Sequence, residues 1–155
     1  MTENLEKIRD ILRSSITSVK NYYIGDPVLI PASYLPCITI DQVSTAVKTL
    51  DSARDIYTTN VQLSYIMDIR SDFNKRPDEV IGTTTLREVM EGRDASGDLK
   101  TNSIVYLLTK NWDLGSDWKI NNEYNINYAE KARWEQLITR EAILTFSIYK
   151  AQLRG

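Results

Sequence analysis

The residue types that carry most protein chemistry are scarce in this chain. It has no histidine. That removes the usual general base near neutral pH and the commonest metal ligand, and with them Ser-His-Asp and Cys-His catalysis and the HExxH zinc site. Cys37 is the only cysteine, so no Cys-rich zinc or iron-sulfur centre can form within the chain and no intramolecular disulfide is possible. No Gly-rich phosphate loop of the GxGxxG or GxxxxGK type occurs. Two SxxK spacings remain, Ser116 with Lys119 and Ser147 with Lys150, in which a lysine could activate a serine at a helix start. The first falls in an expected turn and the second in an expected strand, where that geometry fails. Asp94-Ala-Ser-Gly-Asp98 resembles part of a calcium loop, but it lacks the acidic third position and the distant glutamate, so a polar turn is the better reading. Cys37, between Pro36 and Ile38, reads as a buried thiol with no cation to activate it. Asp68, Asp72 and Glu88 have no spacing that pairs their carboxylates, and a solvated face accounts for them. The expectation is a protein with no catalytic residue, no metal and no cofactor.

Composition is that of an ordinary globular domain. The 155 residues are 42% hydrophobic and 26% charged, with a net charge of −2 and the two signs interspersed. That length suits a single domain, residues 1–155. No basic stripe offers itself to a phosphate backbone. The opening MTENLEKIRD has no apolar core of a secretory signal, and the longest apolar runs, such as Ile104–Leu108, are far short of a membrane span. A single cysteine points to a reducing compartment.

Hydrophobic periodicity supplies the elements. Leu5, Ile8, Leu12, Ile16 and Val19 form one apolar stripe, predicting a helix from Glu3 to Val19. Tyr22–Ile24 reads as a short strand closed by Gly25-Asp26. Pro27, Pro31 and Pro36 mark an extended loop over about 26–36. Cys37–Gln42 reads as a strand. Val43–Ala53 is polar and reads as a strand or a long extended arm. From Asn60 to Asp72 the residues alternate: Val61, Leu63, Tyr65, Met67 and Ile69 on one side, polar residues on the other, with Ile66 the apolar exception. The strand can begin as early as Ile56, which makes Ile38–Ile69 a long hairpin. Phe73–Gly82 reads as a loop. A second helix starts near Thr85, with Thr85 and Glu88 at capping-box spacing, and ends near Arg93. Thr101–Trp112 fits a helix capped by Asn102 or Ser103, and also a buried strand; Lys110 and Asn111 favour the helix. Lys119–Tyr128 and Ala142–Ile148 alternate as strands, with a bend expected at Arg133–Glu141.

One wet face excludes an all-parallel sheet. The expected fold is therefore α+β: a mostly antiparallel or mixed sheet of four to six strands, flanked by an N-terminal helix and one or two central helices. An open sheet leaves edges that must be paired, covered or charged, and copies of one chain can use them. Tyr22, Tyr23, Tyr65, Tyr124, Tyr128 and Tyr149 suit a half-wet sheet surface and equally an interface. Trp112, Trp118 and Trp134 fit either a core or a neighbouring chain.

The element order, with Tyr23-Ile24-Gly25-Asp26-Pro27, Leu35-Pro36-Cys37-Ile38-Thr39-Ile40, the segment Arg54–Ile69 and the helix Leu86–Arg93, resembles the tail terminator (tail completion) and related neck proteins of long-tailed bacteriophages. The resemblance implies a virion protein without catalytic residues. It implies a ring, usually of six copies, at the head-proximal end of the tail tube. That ring ends tube growth and meets the head-side connector or head-closure protein, and DNA passes through its lumen without sequence-specific binding. Rotationally symmetric head-to-tail contacts close such rings. The two extended stretches, about 26–36 and 43–53, are the candidates for those contacts, through Asp26, Pro27, Tyr34, Val43, Ser44, Thr45, Val47, Lys48, Leu50 and Arg54. The same features fit a head-closure or adaptor protein of the neck. From other classes come a small enzyme using carboxylates or a Ser-Lys pair, and a ligand-binding module with one deep apolar cavity.

Overall fold

The computed structural model describes residues 2–27, 30–68, 84–115, 117–132 and 138–154. Its elements run α1 (Thr2–Ser15), β1 (Asn21–Ile24), β2 (Cys37–Thr49), β3 (Arg54–Asp68), α2 (Thr84–Glu91), α3 (Ile104–Lys110), β4 (Asp113–Gly115), β5 (Trp118–Ala132) and β6 (Ile138–Leu153), with a 3-10 turn at Ala32–Tyr34. The six strands form one sheet in the order β1-β2-β3-β6-β5-β4. Only β1 and β2 pair in parallel; every other pair is antiparallel. The expected α+β class, with a mixed and mostly antiparallel sheet, is what the chain adopts.

The alternation in β3 explains how the layers divide. Val61, Leu63, Tyr65 and Met67 are buried and register with Phe146, Leu144, Ala142 and Arg140 of β6. The three apolar partners among these join Leu5, Ile8 and Leu12 of α1, Leu86 and Met90 of α2, and the apolar side of α3 in the main core. One face of the sheet thus carries all three helices. Ile66, on the other face, is fully buried with Ile30, Leu35 and Cys37 in a second, small cluster, against which Tyr23 and Ala32 pack. The proline-rich loop folds across the outer face at this end of the sheet. The single apolar exception in the alternating pattern is therefore the anchor of that loop.

Several local expectations are corrected. The first helix stops at Ser15, although Ile16 and Val19 beyond it remain buried: the apolar stripe continues after the helical backbone ends. The second helix begins at Thr84, so Thr85 lies inside its first turn, and the Glu88 carboxylate accepts from Lys100 Nζ at 2.8 Å. That helix ends before Gly92, where a Cβ would sit 2.5 Å from the Glu88 carbonyl oxygen. The ambiguous stretch before Trp112 is helix α3, capped by Ser103, whose hydroxyl accepts from Tyr106 N. The stretch 43–53, open between strand and extended arm, is strand as far as Thr49. Ile138–Glu141, placed in a bend, begins β6; the remainder of that bend, the Phe73–Gly82 loop, Ile69, Asp72, Ser116 and Trp134 lie outside the described residues. Strand β4 carries no sequence signal at all.

Candidate assembly surface

Strand β2 has two halves. Cys37–Ile40 is buried, whereas every residue from Gln42 to Thr49 is exposed. The change coincides with a bulge: Gln42 pairs with Val61 and Ser44 with Asn60, leaving Val43 as an extra residue. A bulge sharpens local twist and bends the strand, re-aiming the residues beyond it. Past that point β2, the start of β3 and the end of β6 stay in register, with Ala46 opposite Thr58 and Thr58 opposite Tyr149. They form a three-stranded arm. The hydropathy of 43–49 could not announce a strand, because both of its faces are wet and neither selects apolar residues.

The arm tip is closed by side-chain bonds. Asp51 Oδ1 accepts from the backbone N–H groups of Ala53 (2.9 Å) and Arg54 (2.8 Å), and Oδ2 accepts from Arg54 Nε (2.9 Å) and Nη2 (2.7 Å). The Ala53 amide, and then the Arg54 guanidinium, hold the Asp51 carboxyl below its ordinary 3.8. Arg154 clasps the same turn from β6. It donates to the carbonyl oxygens of Asp51 (2.8 Å) and Ser52 (3.2 Å) and to Asp55 Oδ1 (2.8 Å). Such donor and acceptor pairing fixes a turn that has no core beneath it. Sequence reasoning misses Asp51 and Arg154; Asp-Ser-Ala-Arg between two polar strands is the one trace of the turn.

The structure divides the ten candidate contact residues into two groups. Asp26, Pro27 and Tyr34 lie at the base, around the proline-rich loop; Asp26 and Tyr34 are exposed and Pro27 half-buried. Asn21 Nδ2 donates to Tyr34 O. Val43, Ser44, Thr45, Val47, Lys48, Leu50 and Arg54 all belong to the arm, and all are exposed. Gly25, beside Asp26, bridges Ile40, so at about 3.3 Å per residue the arm group begins about 10 Å along the strand, at Val43, and extends to roughly 30 Å at Leu50. Val43 (53% exposed), Val47 (54%) and Leu50 (44%) give the arm its apolar character.

The opposite edge of the sheet has its own apolar surface. Trp112 and Tyr124, each 48% exposed, flank β5 where its register against β6 jumps between Ile120 and Tyr124. Lys119 Nζ lies 5.5 Å from the Trp112 ring and bonds Asp113 Oδ1 at 2.6 Å, an arrangement that orients the tryptophan by cation–π attraction. Tyr128 on the same strand is held inward: its hydroxyl donates to Glu91 Oε2 at 2.7 Å, and Arg87 sits over its ring. Burial and the Glu91 carboxylate push the Tyr128 phenol far up.

The chemistry-bearing residues stay apart. Ser147 and Lys150 are three positions apart on a strand and so point to opposite faces. Asp94 Oδ1 accepts from Ser96 N and Asp98 N, building the turn. Among the described residues no three of His, Cys, Asp and Glu gather at one point. Cys37 is fully buried. The apolar cleft between α3 and β5, lined by Val105, Leu108, Ile120 and Phe146, holds about 20 Å³, room for a single water. Among the described residues no helix is long and apolar enough to cross a membrane. No protein-family model and no curated protein sequence matches this chain.

Proposed function

We propose that this chain is a bacteriophage structural protein, a tail terminator that acts as a ring, most simply of six copies, at the head-proximal end of the tail tube. It ends tube polymerisation and presents a surface to the head-side connector or head-closure protein, while DNA passes through the lumen without sequence-specific contacts. It works by shape in the virion, without turnover or a bound cofactor.

The observation that carries the proposal is the arm. A three-stranded projection whose outer strand is wet on both faces, a tip closed by Asp51, Arg54 and Arg154, and exposed Val43, Val47 and Leu50 offer more to a neighbour than to the core of their own domain. Strands and turns held in place but unburied suit docking with little ordering cost. The resemblance in element order to terminator and neck proteins supplies the identity of the partners.

The test is the mass of the purified protein by native mass spectrometry and light scattering, alone and with tail tube protein. The expected result is a closed ring, alone or on the tube, and tubes of limited length. A protein that stays monomeric and leaves tube growth unaltered refutes the proposal. Binding to the portal or adaptor in place of the tube reassigns it to the head-closure side of the neck.

A further inference from the structure

The sheet leaves two backbone edges open. β1 pairs with β2 only from Cys37 to Ile40, so among the described residues no strand pairs with the outer side of Gln42–Thr49. β4 pairs with β5 only around Trp118 and Lys119, so among the described residues no strand pairs with the outer side of Asn121–Ala132 either. An exposed edge of this kind is a template for strand addition.

The direction of each backbone group can be read from neighbouring bonds, since the N–H and C=O of one residue point to one side and alternate along a strand. Leu50 N–H donates back to Arg54 O on β3; Thr49, Val47 and Thr45 therefore direct theirs away from the sheet. Arg154 N–H donates to Ala53 O beside β3, so odd-numbered residues of β6 face β5. Their β5 partners Asn125 and Asn127 face inward. That leaves Tyr124, Ile126 and Tyr128 directing theirs outward. Side chains of both outward sets project from the helix-bearing face, by register with Thr59, Tyr57, Phe146 and Leu144.

We infer that the two edges pair with each other between neighbouring copies, β2 of one against β5 of the next, with Val47 opposite Tyr124. The inference rests on the ring reading above, because a contact between two different edges is the kind that closes a ring. Strand direction fits: β2, β3, β6 and β5 alternate in sense, so adding β2 beside β5 by rotation keeps the ladder antiparallel. Chemistry selects the register. Lys48, exposed, then stands opposite exposed Glu123; Thr45 meets Ile126; and Leu50 arrives beside Asn121 and the exposed Trp112. Shifting by two residues in either direction takes Lys48 away from Glu123. The free length of β2 ends where β1 begins, and the tip ends where β4 begins, so neither flanking strand obstructs the joint.

Disulfide trapping tests the register. Ala46 and Asn125 face each other in this alignment at a position without backbone bonds between them, where strands approach to about 4.5 Å. The double variant A46C/N125C, oxidised at micromolar concentration, should give a ladder of linked multimers on a non-reducing gel. A46C alone, N125C alone and the off-register A46C/N127C should not. A charge exchange serves if cysteines disturb folding: K48E should weaken association roughly 2- to 5-fold per contact, as a single exposed ion pair does, and E123K should restore it. Linked dimers from A46C alone would indicate β2 paired with its own copy and overturn the inference. So would the absence of the ladder, together with no rescue by E123K, while native mass still shows a ring; the ring reading then survives. A protein that shows neither ladder nor ring, alone or with tail tube protein, and leaves tube growth unaltered overturns both.

Discussion

Ile66→Ala measures how firmly the proline-rich loop is held to the outer face. Ile66 is fully buried, but in a cluster of four buried side chains, with half-buried Tyr23 and Ala32 at its rim. Removing a buried isoleucine side chain to alanine costs about 2–5 kcal/mol, depending on how far the site collapses. A small cluster with a loop on one side collapses more readily than a core between helices and sheet, which places the expected loss at about 2–3 kcal/mol. For a chain of this size each kcal/mol lowers Tm by about 2–4 °C, so the shift is roughly 4–12 °C. Urea titration should show a lower midpoint with an unchanged slope, because the surface exposed on unfolding is the same. Limited proteolysis within 31–36 should quicken in the variant. Gln62→Ala, on the same face of the same strand and half-buried, is the control and should stay within about 0.5 kcal/mol. If Ile66→Ala behaves like that control, the loop is not packed on Ile66 and the second cluster contributes nothing.

The arm and its neighbours give three further expected outcomes. Arg154→Ala removes the clasp on the Asp51 and Ser52 carbonyls; amide exchange at Ala53 and Arg54 should quicken while global stability falls by at most about 1 kcal/mol, the worth of an exposed ion pair. Acid should open the same turn. The folded Asp51 pKa lies below its unfolded value, so its contribution is complete above that value and fades as pH falls beneath 3.8 toward the folded one. Amide spectra of Ala53 recorded between pH 6 and about 2 should show the loss, and Asp51→Asn should flatten it. Tyr128→Phe deletes the hydroxyl that donates to Glu91 and should cost about 1 kcal/mol by urea titration; no loss would mean that the bond is matched by water in the wild type.

The hydrophobic pattern makes most of the body legible and very little of the arm. Leu5, Ile8 and Leu12 announce a helix, and Val61 to Met67 announce a strand, because one face of each has to be apolar. Ser103 is readable as a cap because a hydroxyl before an apolar run satisfies a free N–H. The distal half of β2 is wet on both faces, so burial leaves no mark there, and at the start of β3 the residues are only half-buried until Thr59. The parallel pairing of β1 is hidden because it depends on the path of the loop over Ile66, a tertiary matter. The short β4 is held by one buried side chain, Leu114, and by local bonds such as Lys7 Nζ donating to Leu114 O at 3.0 Å, which no periodicity encodes. Of the candidate contact residues, six of the seven on the arm lie in the stretch marked out by its polarity and Arg54 directly after it, whereas Trp112 and Tyr124 stand out only as residue types and gain a location from the fold.

The extra residue at Val43 acts as a phase shifter. Upstream, even-numbered side chains of β2 share the side of Ile38 and Ile40; downstream, odd-numbered ones do. Deleting that single position would remove the kink and leave every downstream side chain facing as before, because Gln42 against Val61 and Ser44 against Asn60 would then follow one another without interruption. Keeping the residue but drawing it into the ladder would invert the whole projection, exchanging Thr45 and Val47 for Ala46 and Lys48 without altering a residue of either set. Any chain that lacks both the kink and the extra residue should therefore carry its aliphatic contacts one place earlier and on the same face.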